Sequence, residues 1–219
     1  MSPEFIPFPK MARLSRECLI TEKIDGTNAS IRIIKPEVAV SNFSAYVAET
    51  NGLLIWAGSR TRWITPEKDN HDFARWVRDN AEELSLLGPG HHFGEWWGSG
   101  IQRNYGLKEK RFSLFNAIRW CRHDEEPQIA SVSWDHETQQ MVEKMQNPAP
   151  ACCHIVPVLY RGEFSTDRVS GELAHLSSLG SKAAPGFMKP EGVVCFHLAG
   201  NVGFKKTIEG DHEPKGKHP

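Results

Sequence analysis

The 219 residues carry 26 Lys and Arg against 27 Asp and Glu, a net charge of −1 with histidine neutral. Hydrophobic residues at 39% and charged residues at 24% describe an ordinary globular chain and exclude a disordered tail, a collagen-like rod and a coiled coil. A near-neutral molecule does not draw polyanions over its whole surface, so a nucleic-acid site has to be a local patch.

The start, MSPEFIPFPKMARLS, lacks the basic-then-apolar order of a signal peptide, and no stretch approaches 18 uncharged apolar residues. A cytoplasmic location without membrane contact is the expectation. Glu17 to Ile34 reads as two β-branched-rich runs around an Asp-Gly-Thr-Asn turn, a hairpin signal. Val38 to Val47 and Gly52 to Ala57 continue the strand pattern. From Asp69 to Leu87, Phe73, Trp76, Val77, Ala81 and Leu84 recur at three- and four-residue spacings, which predicts a helix ending before Gly88-Pro89-Gly90. Strands are predicted over His92 to Trp97, Arg111 to Trp120 and His154 to Tyr160, and a second helix over Ser165 to Leu179, stopped by Gly180. Arg122 to Pro150, polar and broken by three prolines, reads as a loop with one helix near Thr138 to Met145. Glu191 to His197 and Val202 to Thr207 close the chain as two short strands.

Cys18, Cys121, Cys152, Cys153 and Cys195 make an odd count without a CxxC pair, so reduced thiols are expected, with neither a disulfide framework nor a zinc ribbon. Cys152-Cys153-His154 and His91-His92 are adjacent residues that an extended chain points to opposite faces, and His123-Asp124-Glu125-Glu126 reads as a solvated loop. None is assigned a metal. Arg103 to Arg122 holds six basic residues, Arg103, Lys108, Lys110, Arg111, Arg119 and Arg122, against Glu109, with Tyr105 and Phe112 between them. That pattern fits a nucleic-acid face or a solvated surface.

Lys23-Ile24-Asp25-Gly26 alone is a strand end followed by a turn. It is followed in order by Gly58-Ser59-Arg60, Phe93-Gly94-Glu95, Phe112-Ser113-Leu114-Phe115, Glu191-Gly192-Val193-Val194 and Phe204-Lys205-Lys206. Together these resemble the motifs of the covalent nucleotidyltransferases. The phrases TEKIDGTN, GEWWGSGIQRNYG and FSLFNAIRW are most similar to the ATP-dependent RNA ligase family, in particular its type 2, nick-sealing branch. The resemblance runs from Thr21 to Thr207. It implies an α+β fold: a single nucleotidyltransferase (ATP-grasp-like ligase) domain over residues 1–219, two antiparallel sheets flanked by helices, and the nucleotide in the groove between them.

A lysine attacks phosphorus only as the free amine, and an ordinary value of about 10.4 leaves little of that form at neutral pH. Burial, a neighbouring cation or a metal ion has to help. The resemblance implies that Lys23 becomes the AMP-bound residue and that Lys205, Glu95 and Glu191 serve catalysis beside it. It assigns nucleotide contacts to Glu22, Asp25, Gly26, Asn28, Arg60, Phe115 and Lys206, with Arg60 on phosphate or ribose and Phe115 stacked on adenine. Asp25, Glu95 and Glu191 are expected to meet Mg2+ or Mn2+ through waters. An acid between Phe93 and Trp97 argues for itself, since a carboxylate among aromatics is costly unless bonded. Two departures stand out: Asn116 replaces the family's common Asp, and adjacent Lys205-Lys206 replace two lysines one residue apart, so alternation lets only one of them face the site unless a bulge intervenes, and alignment with the family's pair makes Lys205 the first lysine.

The implied activity is ATP-dependent joining of an RNA 5′-phosphate to a 3′-hydroxyl through lysyl-AMP. A DNA ligase or capping guanylyltransferase with the same lysine, and a catalytically silent nucleotide- or RNA-binding module, are the alternatives. RNA is the expected partner. Because Gly210 to Pro219 is short and polar, no separate C-terminal domain is expected, and a partner protein that helps grip the RNA is.

Overall fold

The protein is described by a computed structural model, which covers residues 4–9, 11–37 and 43–211. The chain divides into two compact units: Met1–Lys23 with Val158–Lys182 and Met188–Pro219, and Ile24–Pro157 with Ala183–Phe187.

Strands and helices are numbered along the chain. The first unit is built on a four-stranded sheet in which β1 (Glu17–Lys23) lies between β13 (Val158–Glu163) and β14 (Gly192–His197), with β15 (Val202–Thr207) outside β14. All three pairings are antiparallel. Helix α3 (Thr166–Leu179) starts at Ser165, whose Oγ accepts the Arg168 N–H, and stops at Gly180. Its Leu176 joins Cys18, Ile20, Val193 and Cys195 in a core formed from one face of the sheet. Alternation therefore leaves Leu19, Thr21 and Lys23 on the other face.

The second unit centres on a sheet ordered β12 (Cys153–Ile155), β7 (Lys110–Leu114), β6 (Gly90–Gly98), β2 (Thr27–Ile34), β4 (Leu53–Gly58), β3 (Ala48–Thr50), with β5 (Trp63–Ile64) also paired to β4. Helices α1 (Phe73–Asp79) and α2 (Ala81–Leu84) cover one face. There Phe73, Trp76, Trp96 and Phe112 stack with ring centroids 5.1–5.8 Å apart. Asp69 fixes the entry to α1 by accepting the N–H groups of Ala74 and Arg75. No helix among the described residues is long and apolar enough to cross a membrane.

Several predicted elements are corrected. Of Val38 to Val47, residues 38–42 lie outside the described residues, 43–47 are not strand, and β3 begins at Ala48. The helix predicted from Asp69 to Leu87 is α1 and α2 followed by a 3₁₀ turn over Ser85–Leu87; Asn80, at φ −109°, returns both its backbone N–H and its amide to Trp76 O and ends α1. Arg111 to Trp120 is two strands, β7 and β8 (Trp120–Cys121), and His154 to Tyr160 is β12 and β13, separated at Val156-Pro157. The helix near Thr138 to Met145 does not form. Instead β9 (Ile129–Asp135) and β10 (Gln140–Met145) make a hairpin, because Asp135 Oδ1 accepts the N–H groups of Glu137 and Thr138 and Gln139 takes φ 53°. The two antiparallel sheets expected are four sheets among the described residues, the others being β9–β10 and β8 with β11 (Asn147–Pro148); β7–β12 and β8–β11 run parallel.

Candidate active site

The predicted residues fall into two sets, one in each unit. In the first, Lys23 ends β1 opposite Gly192 of β14. Its Nζ donates to Glu191 Oε2, an ion pair with side chains 19% and 7% exposed. Gly192 is dictated by close approach: a Cβ there would lie 2.2 Å from Lys206 O and 2.7 Å from Thr207 Cα. Register runs Thr21–Val194–Lys205 and Glu22–Val193–Lys206 across β1, β14 and β15. Lys205 thus shares the face of Lys23, whereas Lys206 stands on the α3 face, where its Nζ donates to Ser170 Oγ at 3.1 Å. Glu22, also on the α3 face, is 1% exposed, and its carboxylate accepts Ser181 Oγ–H at 2.6 Å and Lys182 N–H at 2.8 Å. That carboxylate clasps the segment after α3.

In the second unit, Glu95 of β6 is 7% exposed and organises the turn. Its Oε1 accepts Gly26 N–H at 3.1 Å and its Oε2 accepts the Asn28 amide at 3.0 Å. Gly26 admits no side chain, since a Cβ would sit 2.5 Å from Trp96 O and 2.7 Å from Trp97 Cβ. Asp25 is held twice: its N–H donates to Tyr105 Oη at 2.7 Å, and its Oδ2 accepts Arg103 Nε–H at 3.0 Å. Tyr105 is 3% exposed, wedged between Trp97 and Phe187 at 5.0 and 4.6 Å.

Arg103 and Tyr105 were not singled out as site residues by sequence. Their loop carries the signal in its conformation: Gln102, Asn104 and Tyr105 all take positive φ (44°, 60° and 52°). Three non-glycine residues in that region store strain that the surrounding bonds must hold. In the sequence Arg103 and Tyr105 stand only within the basic Arg103 to Arg122 stretch and the GEWWGSGIQRNYG phrase, neither of which ties them to Asp25.

The sheet's register sets the remaining residues in cross-strand rows. One row is Ser113, Glu95 and Asn28. The next is Phe115, Phe93, Ser30, Gly58 and Trp63: Phe115 follows β7 and donates its N–H to Phe93 O at 3.0 Å, and the other pairs are direct. Phe115 is 42% exposed beside the polar row. Arg60 is exposed on the Ser59–Arg62 loop, which Ser59 closes by donating twice to Arg62 O. Asn116 has a local task, its Oδ1 accepting Arg119 N–H at 2.9 Å.

Asp25, Glu95 and Glu191 offer carboxylate oxygen, the donor type that suits a hard divalent ion retaining its waters. Each already has a bonded partner, Arg103, Gly26 with Asn28, and Lys23 respectively. Among the described residues no group of three or more His, Cys, Asp or Glu is arranged to hold a metal directly. Within each unit these carboxylates fit a metal met through its waters.

The model of the RNA ligase family matches residues 16–205. A comparison of the sequence with curated proteins found no match. Among solved structures, a Naegleria gruberi RNA ligase mutant with ATP and Mn superposes with a TM-score of 0.52 at 19% identity, over 90% of this chain and 51% of that one. A second mutant, apo, gives 0.51 at 20% identity over 94% and 57%, and a third, with AMP and Mn, 0.51 at 20% over 89% and 50%. The mixed α/β fold is that of these ligases, and the chain spans about half of their length.

Proposed function

Because this chain belongs to the RNA ligase family, with RNA as the family's substrate, we propose that it is an ATP-dependent, type 2 nick-sealing RNA ligase working through a lysyl-AMP on Lys23. The observation that carries the reading is Lys23 itself. Its amine is mostly withdrawn from water, is bonded to Glu191, shares a face with Lys205, and stands two residues before a turn fixed by Glu95 and Tyr105. The Naegleria structures with ATP or AMP and Mn support the nucleotide and a divalent ion.

In the first step the Lys23 ammonium gives up its proton to solvent while Glu191 orients the amine. The freed Nζ attacks the α-phosphorus of ATP, and the N–P bond forms as the bond to pyrophosphate breaks. Lys205 meets the charge developing on the phosphates. Phe115 supports the adenine, Asn28 and Glu95 the ribose, and Arg60 a phosphate. Asp25, Glu95 and Glu191 would hold Mg2+ or Mn2+ through its waters, and the ion when bound would add neutralisation of phosphate charge. AMP then passes to the RNA 5′-phosphate, restoring Lys23, and the 3′-hydroxyl displaces AMP to close the strand.

Intact-mass measurement after incubation with ATP or GTP and Mg2+ tests the reading. An AMP adduct on the wild type and none on Lys23→Ala is expected. A GMP adduct would make it a capping-type enzyme, and no adduct a silent module. Sealing of nicked duplexes against single-stranded RNA ends, with RNA and DNA strands exchanged, tests the branch.

A further inference from the structure

The large sheet leaves open more aromatic surface than one adenine requires. In the row that starts with Phe115, Phe93 and Trp63 are 54% and 45% exposed. Four strand spacings of about 4.8 Å put Trp63 about 19 Å from Phe115 along that row, and a single purine, no wider than an indole, cannot touch both. The Trp63 ring lies over Gly58: a Cβ there would come within 3.1 Å of Trp63 Cζ3 and 2.5 Å of Ser30 Oγ. His91, in the adjoining row, places its ring 5.8 Å from that of Trp63 and 4.1 Å from that of Phe93, tilted 36° and 32°. Three rings therefore run on without a gap. Arg32 pairs with His91 across β2 and β6, and exposed Arg62 immediately precedes Trp63.

The chain treats two tryptophans of this face differently. Trp56, which pairs with Arg32, is 6% exposed because Phe43 and Tyr46 pack on it at 6.0 Å and Ser44 O accepts its indole N–H. Among the described residues Trp63 has no such cover.

We propose that Trp63, His91 and Phe93 form a stacking platform for an unpaired base of the RNA strand, with Arg32 and Arg62 taking the adjoining phosphates. Aromatic faces accept any base, and guanidinium groups match phosphate geometry, the combination by which single-stranded nucleic acid is held without sequence preference. The inference rests on the RNA-ligase reading for the identity of the polymer.

Binding of a short fluorescein-labelled oligouridylate, followed by anisotropy at fixed salt, decides it. Trp63→Ala is expected to weaken binding roughly 5- to 150-fold, and His91→Ala in the same direction by less. Trp63→Phe, which keeps an aromatic face, should restore most of the affinity and excludes misfolding as the cause. On an abasic oligomer of equal charge, wild type and Trp63→Ala should bind alike. AMP loading measured by mass should be unchanged in all three variants. Equal affinity of Trp63→Ala and wild type for the uridylate, an equal loss on the abasic oligomer, or failure of the wild type to bind RNA would overturn the platform. Loss of AMP loading in Trp63→Ala would also overturn it, by assigning the ring to ATP. If the wild type takes up no AMP yet binds RNA through Trp63, the proposed function fails while the platform stands.

Discussion

Exchanging the partners of the Glu95 hydrogen bonds separates their structural from their chemical contribution. Glu95→Gln removes a charge from a carboxylate that is 7% exposed and accepts from Gly26 and Asn28 at 3.1 and 3.0 Å. Bonds to a charged group contribute about 1.5–3 kcal/mol and neutral ones about 0.5–1.5, so converting two of them costs about 2 kcal/mol. For a chain of this size that lowers the melting temperature by roughly 4–8 °C. Asn28→Asp alone sets two carboxylates against each other within hydrogen-bond distance and should cost at least as much. The double variant reverses the bond, the new amide donating to the new carboxylate, and should recover 1–2 kcal/mol relative to the sum of the singles. Tryptophan fluorescence is the assay: all seven tryptophans fall between Ile24 and Pro157, within the unit that contains Glu95, so the melt reports that unit. AMP loading should stay low in the stable double variant, because the carboxylate has left position 95. A double variant that melts no higher than the weaker single, or Glu95→Gln melting with the wild type, would refute the hydrogen-bond assignment. Full AMP loading by the double variant would refute the chemical one.

The two final lysines should also part company. Lys205→Ala is expected to reduce AMP loading by at least tenfold, and Lys206→Ala, which gives up a bond to Ser170 on the α3 face, by less than threefold; quantified adducts at limiting ATP check the order. Burial lowers the pKa of His92, with Arg119 adding to the effect and its bond to Gly88 O opposing it. Below the unfolded value of about 6.5 the unfolded chain binds a proton that the folded one refuses, so stability is complete above that pH and falls as the pH drops from 6.5 toward the folded value. Melting curves between pH 5 and 7.5 should show this slope, and His92→Gln should flatten it.

Local patterns carried the strands that hold the lysine and the acids. The Asp-Gly turn, the alternation of β6 and the apolar Val193-Val194 run each need only near neighbours to be read. Contacts that close over long separations could not be read this way. Arg103 meets Asp25 across 78 residues and Ser181 meets Glu22 across 159, and no periodicity encodes either. The β9–β10 hairpin failed for another reason. Met141 and Met145 stand four apart as on a helix face, yet both are exposed, at 61% and 46%, so no burial enforces the helical period and the Asp135 turn decides instead. Asn80 shows the limit of the apolar pattern in α1 and α2: the spacing continues through it while the backbone does not.

The division of the chain has a consequence for its synthesis on the ribosome. Among the described strands β1 is made before the others, yet both its neighbours, β13 and β14, arrive only after residue 157 and residue 191 have been added. At typical elongation rates of about 5–20 residues per second, the strand that bears Lys23 waits several seconds or more with both edges open. Ile24–Pro157, by contrast, holds nearly all the partners of its own sheet and can collapse as soon as it emerges. Lys23 is thus set in place by strands made long after its own, and a nascent polypeptide halted before Glu191 lacks both its ion-pair partner and its inner neighbouring strand. Unpaired strands of this kind are where nascent chains associate with one another. Yield in expression should therefore respond more to charges introduced along β1 and β14 than to equal changes on β9 or β10, whose partners lie a few residues away.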